Sequence, residues 1–106
     1  CALPIFFHTV LFNFVEGVTE SDVQGLEDAL RADVANFPEV TFYACGPDLG
    51  VSPGSDQFAI VAGAETAEDL EHYLNDPGHK AIAAEWKHLV ATRHAVEFES
   101  KKYLNK

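Results

Sequence analysis

A phenol, a carboxylate and an imidazole lie within seven consecutive residues of this chain, at Tyr73, Asp76 and His79. Asp76 precedes Pro77, and this pair is typical of a helix start. Asp accepts backbone N–H bonds at the N-cap, and Pro fits the first helical position, where no N–H is needed. His79 therefore lies in the first turn of a predicted helix. Tyr73 lies near the end of the preceding helix, so one tight connection brings the three groups together.

His79 also begins an apolar stripe, which predicts that its ring faces the interior. Residues spaced three and four apart share one face of a helix. The stripe consists of His79, Ile82, Ala83, Trp86, Leu89 and Val90. Trp86 is then either a core residue or part of a cavity wall, and Ile82 shares its face.

The position of His79 indicates which chemistry it can perform. The helix dipole and burial both disfavour an imidazolium, so we expect a neutral ring near pH 7. A neutral imidazole can abstract a proton from carbon next to a carbonyl, and Tyr73 can donate a hydrogen bond to the enolate oxygen that develops. We predict His79 and Tyr73 as catalytic residues, with Asp76 capping the helix or orienting the ring. The alternative is a structural role, in which both side chains only hydrogen-bond at a buried helix junction.

A second histidine, His8, is the one polar group on an aromatic face of the predicted first strand. Alternate residues of a strand share a face, which places His8 with Val10 and Phe12. Two interpretations stay open: a core histidine with a satisfied hydrogen bond, or a residue that lines a ligand cavity with these neighbours. His8, His79 and Asp76 lack the close histidine pairing of a zinc helix, so we predict no metal.

The pattern of the whole chain predicts the order β-α-β-β-α-α-β. Strands are expected where aromatic and β-branched residues cluster, and helices where apolar residues recur after a capping residue. The predicted strands are residues 6–14, 40–45, 57–62 and 94–98, and the predicted helices are 20–37, 67–74 and 77 to near Thr92. This is the α+β, ferredoxin-like β-α-β-β-α-β arrangement with a split second helix, in which helices cover one face of a four-stranded antiparallel sheet.

Both faces of the predicted strands are apolar, although helices can cover only one of them. Along the first strand, Phe7 and Leu11 point away from the side that carries Val10 and Phe12. Exposed apolar patches of several hundred Å² usually mark an interface. We therefore predict an obligate homodimer, joined through the open sheet face into a dimeric α+β barrel.

Composition fits a single domain over residues 1–106, with its core at about 6–99 and a polar tail at 100–106. The net charge of −10 excludes nucleic acid and anionic membrane as partners, because phosphate binding needs clustered Lys and Arg. No run approaches the ~20 apolar residues of a membrane span. Cys1 and Cys45, the only cysteines, form neither a disulfide nor a zinc pattern, so we expect a reducing cytoplasm.

Two segments resemble signatures of the stress-responsive A/B barrel (Dabb) domain family, a branch of the dimeric α+β barrels. They are FHTVLFNF at 7–14 and YLNDPGH at 73–79. The resemblance extends over about residues 6–99. It implies the dimeric barrel fold and a relationship to the family's polyketide cyclases of the olivetolic acid cyclase type, which need no cofactor.

The resemblance also implies roles for particular residues. Tyr73 and His79 match the catalytic pair of those cyclases, and His8 matches a histidine of their first strand. Leu26 and Leu30 stand where the first helix of the cyclases lines the substrate cavity with aromatic residues. This chain departs from them at Asp76, where they have a second histidine.

These observations predict a homodimer with a small-molecule cavity. In it, a Tyr–His pair transfers protons on a hydrophobic, carbonyl-bearing, polyketide-like substrate, without a cofactor, as a cyclase or lyase does. Two alternatives stay open. One is a non-enzymatic, stress-related dimeric scaffold or ligand-binding protein. The other is a cofactor-free oxygenase of the antibiotic-biosynthesis monooxygenase type, which shares the fold.

Overall fold

A computed structural model of the protein describes residues 4–102, and the order of elements along them is the predicted one. The strands are β1 (Phe6–Phe14), β2 (Val40–Pro47), β3 (Phe58–Ala64) and β4 (Val90–Glu99). The helices are α1 (Glu20–Val34), α2 (Ala67–Asn75) and α3 (Pro77–Trp86), with a short 3₁₀ helix at Lys87–Leu89. Cys1 and residues 103–106 of the predicted tail lie outside the described residues.

The four strands form one antiparallel sheet in the order β2-β3-β1-β4. β1 is central and places His8 opposite Ala62 of β3 on one side and Glu97 of β4 on the other. The helices pack on one face of the sheet. This is the ferredoxin-like α+β architecture that the sequence predicts.

Local capping signals start the helices where the sequence places them. The Thr19 hydroxyl accepts the N–H of Asp22 at 3.1 Å, and the Asp22 carboxylate accepts the N–H of Thr19 at 3.0 Å, which completes a capping box before α1. Thr66 accepts the N–H of Asp69 at 3.1 Å before α2. Within residues 4–102, no helix has the length and apolar character that crossing a membrane requires.

The boundary between the last helix and the last strand differs from the prediction. α3 ends at Trp86, not near Thr92, and β4 starts at Val90, not at His94. Val90 pairs with Phe14 at the end of β1. Pairing with β1 provides hydrogen-bond partners for the backbone N–H and C=O groups of this segment, and the β-branched Val90 and Thr92 suit a strand. Strand pairing therefore overrides the helical spacing of the apolar residues.

The helix-covered face of the sheet carries the core. Phe58 and Ala62 of β3 are 1% and 0% exposed. One buried cluster joins this strand to β1 and α1, and a second joins it to α2 and the turn after α1. The first contains Val10, Leu26, Leu30, Phe58 and Ile60, and the second contains Phe37, Ala62 and Tyr73.

The opposite face of the sheet, here called the open face, has no helix over it among the described residues and is apolar. The Phe7 ring stacks on Phe98 with centroids 5.5 Å apart and meets Phe42 edge-on at 6.3 Å. Leu11, Phe42, Val96 and Phe98 are between 38% and 54% exposed. The chain therefore presents a contiguous apolar surface of the kind that interfaces use.

Gly63 of β3 lies on the open face, where an added methyl group would be packed more tightly than most Cβ atoms in proteins. A Cβ atom there would lie 3.0 Å from Phe7 Cε1, 3.0 Å from Pro4 Cβ and 3.2 Å from Phe42 Cβ. We expect Gly63→Ala to lower the free energy of unfolding by about 1–3 kcal/mol, the usual cost of overpacking. Urea denaturation at one fixed protein concentration measures this. Gly46→Ala, where a Cβ atom meets nothing within 4 Å, is the matched control; equal stabilities of the two variants would contradict the prediction.

Candidate functional site

The start of α3 positions His79. Asp76 is the N-cap, and its Oδ2 accepts the N–H of Gly78 at 2.8 Å and that of His79 at 3.2 Å, with Pro77 at the first helical position. The side chain of His79 is only 16% exposed. The Asp-Pro cap therefore directs the imidazole inward, as the sequence indicates.

A buried carboxylate from α1 holds the His79 ring. Asp33 Oδ2 lies 2.8 Å from His79 Nδ1, and the Asp33 side chain is only 6% exposed. The carboxylate accepts this hydrogen bond, so the Nδ1 atom carries the proton. The Nε2 atom of a neutral ring is then the one that can accept a proton.

Aromatic rings enclose this pair. Tyr73 of α2 is 2% exposed, and its ring lies against the imidazole of His79, with centroids 4.3 Å apart and planes 42° apart. Phe37, in the turn after α1, meets Tyr73 edge-on at 5.0 Å and His79 at 6.5 Å. The rings shield the Asp33–His79 pair and limit its exchange with bulk water.

A second phenol, Tyr43 of β2, points into the same region. Its hydroxyl is buried and has no partner at hydrogen-bond geometry among the described residues. The hydroxyl of Tyr73 is close enough for each phenol to affect the pKa of the other. Burial raises the pKa of both well above the ordinary value, and the negative charge of Asp33 adds to this effect. Both phenols therefore stay protonated at neutral pH and are available as hydrogen-bond donors.

A second histidine–carboxylate pair lies on the sheet. His8 Nδ1 is 2.7 Å from Glu97 Oε2 across the β1–β4 pairing, with the His8 side chain 8% exposed and the Glu97 side chain 50% exposed. Burial lowers the pKa of His8 below its ordinary value, although the hydrogen bond to Glu97 opposes this shift. A charge at Arg93 lowers it further. His8 therefore offers a neutral imidazole near pH 7.

His8, Tyr43, Tyr73 and His79 line one cavity of about 430 Å³, between the helix-covered face of the sheet and helices α1 and α3. This volume lies within the range of small-molecule sites, roughly 300–1,000 Å³. The lining is mostly apolar, with polar groups at a few points. The lining residues are His8, Val10, Phe12, Leu26, Leu30, Tyr43, Ile60, Tyr73, His79, Ile82, Ala83, Ala84, Trp86, Lys87, Val90, Ala91 and Arg93.

The structure brings together all but one of the residues predicted for the site. His79, Tyr73, His8, Val10, Phe12, Leu26, Leu30, Ile82 and Trp86 line the cavity. Asp76 does not; its carboxylate is used at the helix N-cap. The carboxylate that orients the ring nitrogen is instead Asp33. Trp86 is half-buried and packs against the core cluster as well as the cavity.

Sequence reasoning missed three polar residues of the site, Asp33, Tyr43 and Glu97. Asp33 lies seven residues after Leu26, on the same face of α1, so helical spacing was a usable signal. Every second residue of β2 faces the helices, and Tyr43 is one of these residues. Glu97 is recognisable only once the strand register places it opposite His8, and no local pattern reveals that register.

The cavity is suited to a hydrophobic molecule, which would meet the neutral imidazole of His8, the ring of His79 and two protonated phenols. The described part of the chain contains no group of three or more His, Cys, Asp or Glu residues placed to share a metal ion. Proton transfer and hydrogen bonding are the chemistry that these side chains themselves supply.

The sheet order, the helix-covered cavity and the apolar open face define a ferredoxin-like domain of the α+β barrel class. The family model for the stress responsive A/B barrel domain matches residues 6–100. The chain therefore belongs to that family, as the two sequence signatures predicted.

Two relatives are about one-third identical to the chain over the residues that align. An uncharacterised protein of Streptomyces coelicolor is 30% identical over 82 residues, which are 76% of this chain and 84% of the relative. The structure of a dimeric ferredoxin-like protein of unknown function from Thermobifida fusca is 34% identical, covers 89% of both chains and has a TM-score of 0.81.

Two more distantly related structures are those of proteins named as enzymes. A hydroxynitrile lyase from Passiflora edulis is 13% identical with a TM-score of 0.81, over 96% of this chain and 98% of the lyase. SnoaB, a cofactor-independent oxygenase from Streptomyces nogalater, is 12% identical with a TM-score of 0.76, over 98% of this chain and 100% of the oxygenase. At these identities the likeness extends to the fold alone.

The lowered pKa of His8 makes stability depend on pH. Above pH 6.5 neither the folded nor the unfolded chain protonates this residue; below it, the unfolded chain binds a proton that the folded protein does not. Stability is therefore lost as pH falls through and below 6.5. We expect the Tm of the wild type to drop more steeply between pH 7.5 and 5 than that of His8→Gln, measured by circular dichroism.

The matched control is His88→Gln, because His88 is exposed and does not line the cavity. This variant should retain the steep pH dependence of the wild type. The assignment to His8 would fail if His8→Gln lost stability with falling pH as steeply as the wild type does.

Proposed function

We propose that this protein is a cofactor-free enzyme that removes a proton from carbon next to a carbonyl group of a hydrophobic substrate, as a cyclase or lyase does. The observation that carries the proposal is the buried 2.8 Å hydrogen bond between Asp33 and His79 at the wall of an apolar cavity. A histidine oriented by a carboxylate is a recurring arrangement for general-base catalysis.

In the proposed mechanism, His79 is the base. Its Nε2 atom takes the proton from the substrate carbon, and the electron pair of the broken C–H bond moves to the carbonyl oxygen. Asp33 keeps the ring in the required tautomer and stabilises the imidazolium that forms. The carbanion equivalent then attacks a second carbonyl, expels a leaving group or takes back a proton.

Tyr73 stabilises the oxygen that becomes negative. Its raised pKa keeps the hydroxyl protonated, so it can donate a hydrogen bond to the developing enolate. Its ring lies against that of His79, which supports the proposal that base and donor act on one substrate carbonyl. His8 supplies a second, neutral polar contact from the sheet side of the cavity, among the apolar Val10 and Phe12.

Exchange of protons for deuterons tests the proposal without knowledge of the natural substrate. In D₂O, ¹H NMR follows the loss of the α-proton signals of 2-octanone and of the N-acetylcysteamine thioester of 3-oxo-octanoic acid. We expect the protein to accelerate exchange above the buffer rate for at least one compound. His79→Ala should reduce the protein-dependent rate by roughly 10²–10⁴-fold, and Tyr73→Phe by roughly 10²–10³-fold.

His88→Gln is the control for the loss of a histidine outside the cavity and should exchange at the wild-type rate. Circular dichroism establishes that each variant is folded. No acceleration by the wild type with either compound, or equal rates in the wild type and His79→Ala, would contradict the proposal. A folded, ligand-binding but inactive wild type would favour the stress-related binding protein, and oxygen consumption with an added quinol would favour the oxygenase.

We also infer that the functional unit is a homodimer joined through the open face. The support is the row of half-exposed apolar side chains there, together with the dimeric state named for the similar Thermobifida fusca protein. Association through this face leaves the cavity, which is on the helix side, accessible. A reducing cytoplasm remains the location that we expect.

A charge on the open face should dissociate this dimer. Val96 of β4 is 54% exposed, so Val96→Glu adds a charge to the open face with little change to the core of the single chain. We expect light scattering at micromolar concentration to give twice the chain mass of 11.6 kDa for the wild type and the chain mass for the variant. Ala32→Glu, at an exposed position of α1, is the control and should remain dimeric. A monomeric wild type would contradict the inference.

A further inference from the structure

Two cationic side chains line the cavity where it meets the solvent. Lys87 follows α3 and Arg93 lies on β4, and both residues are exposed. Ala84 precedes Lys87 in the sequence, and Ala91 lies between Lys87 and Arg93. Both alanines line the same cavity and are exposed. The end of α3 and the start of β4 therefore frame the mouth of the cavity.

This positive mouth contrasts with the rest of the chain. The sequence has 17 acidic and 7 basic residues, yet no Asp or Glu is among the lining residues of the cavity. Among residues 4–102, neither Lys87 nor Arg93 forms an ion pair with a carboxylate. The nearest acid along the inner face of β4, Glu97, is hydrogen-bonded to His8. Both cations therefore remain available to an anion that enters the cavity.

The distance from the mouth to His79 can be read from the elements. Lys87 comes eight residues after His79, which is about 12 Å along a helix at 1.5 Å per residue. Arg93 is paired with Phe12, four residues from His8, which is about 13 Å along the strand. The first length ends at His79 and the second at His8, so each cation lies a similar distance from one of the two histidines, and the side chains that line the cavity between them are mostly apolar.

We propose that the substrate is an amphipathic anion, whose apolar chain fills the cavity while its anionic head group binds Lys87 and Arg93 at the mouth. This inference rests on the proposed function and names the substrate class of the same site. A carboxylate and a phosphate monoester both have the required chemistry, because each accepts charge-assisted hydrogen bonds from Lys and Arg. The head group holds the chain in one direction, so the carbonyl to be activated lies at the inner end, beside His79.

Trp86 provides a direct measurement of binding, since it is the only tryptophan of the chain and lines the same cavity. Its fluorescence is followed during titration with octanoate, octyl phosphate and the uncharged octanamide, which share one chain length. We expect the wild type to bind at least one of the two anions roughly tenfold or more tightly than the amide. Added salt should reduce this preference, because the head group binds near solvent.

The double variant Lys87→Gln/Arg93→Gln should bind the three compounds with similar affinity. Lys80→Gln is the matched control, because Lys80 is an exposed lysine of α3 that does not line the cavity, and it should keep the preference for the anion. Preference for octanoate assigns the head group as a carboxylate, and preference for octyl phosphate assigns it as a phosphate. Equal binding of all three compounds by the wild type, no binding of any, or an unchanged preference in the double variant would overturn the proposal.

This binding measurement is independent of turnover. His79→Ala should lose proton exchange but keep the preference for the anion. Anion preference without any wild-type exchange would overturn the proposed function alone. Exchange without anion preference would overturn the substrate class alone.

Discussion

A buried carboxylate on α1 requires a hydrogen-bond donor, and this requirement fixes the geometry of the surrounding site. Asp33 is nearly inaccessible to water, and leaving its charge without a partner would cost about 3–5 kcal/mol. The partner, His79, comes from α3, so the two helices must approach each other where these side chains meet. The Asp76 cap sets the start of α3, and Phe37 with Tyr73 closes the remaining space.

The protonation states of the side chains inside the cavity and the charges at its mouth suit the same kind of ligand. Burial keeps both phenols protonated and His8 neutral, so the interior holds hydrogen-bond donors and uncharged imidazole near neutral pH. Positive charge is confined to the mouth, although the protein as a whole is strongly acidic. A molecule with a charged head and an apolar body would thus meet a matching environment at each end of the cavity. The long-range field of the acidic surface opposes its approach, and the two local cations offset that repulsion.

The positions of residues that depend on local signals were predictable, whereas the pairing of residues distant in sequence was not. Alternation along β1 placed His8 with Val10 and Phe12, and the Asp-Pro cap placed His79, because both signals lie within a few residues. The partners of the two histidines, Asp33 and Glu97, are 46 and 89 residues away, and only the assembled fold brings them near. The start of β4 was misplaced for the same reason, since pairing with β1 decides it.

One strand, β1, serves two surfaces at once. Its even-numbered residues His8, Val10 and Phe12 line the cavity, and its odd-numbered residues Phe7 and Leu11 face the open side. Shifting the strand by one position would exchange the two sets and send His8 outward and Phe7 inward. A substitution in β1 affects one surface, whereas insertion or deletion of a single residue damages both together. The cavity wall and the open face therefore both depend on one length and one register of β1.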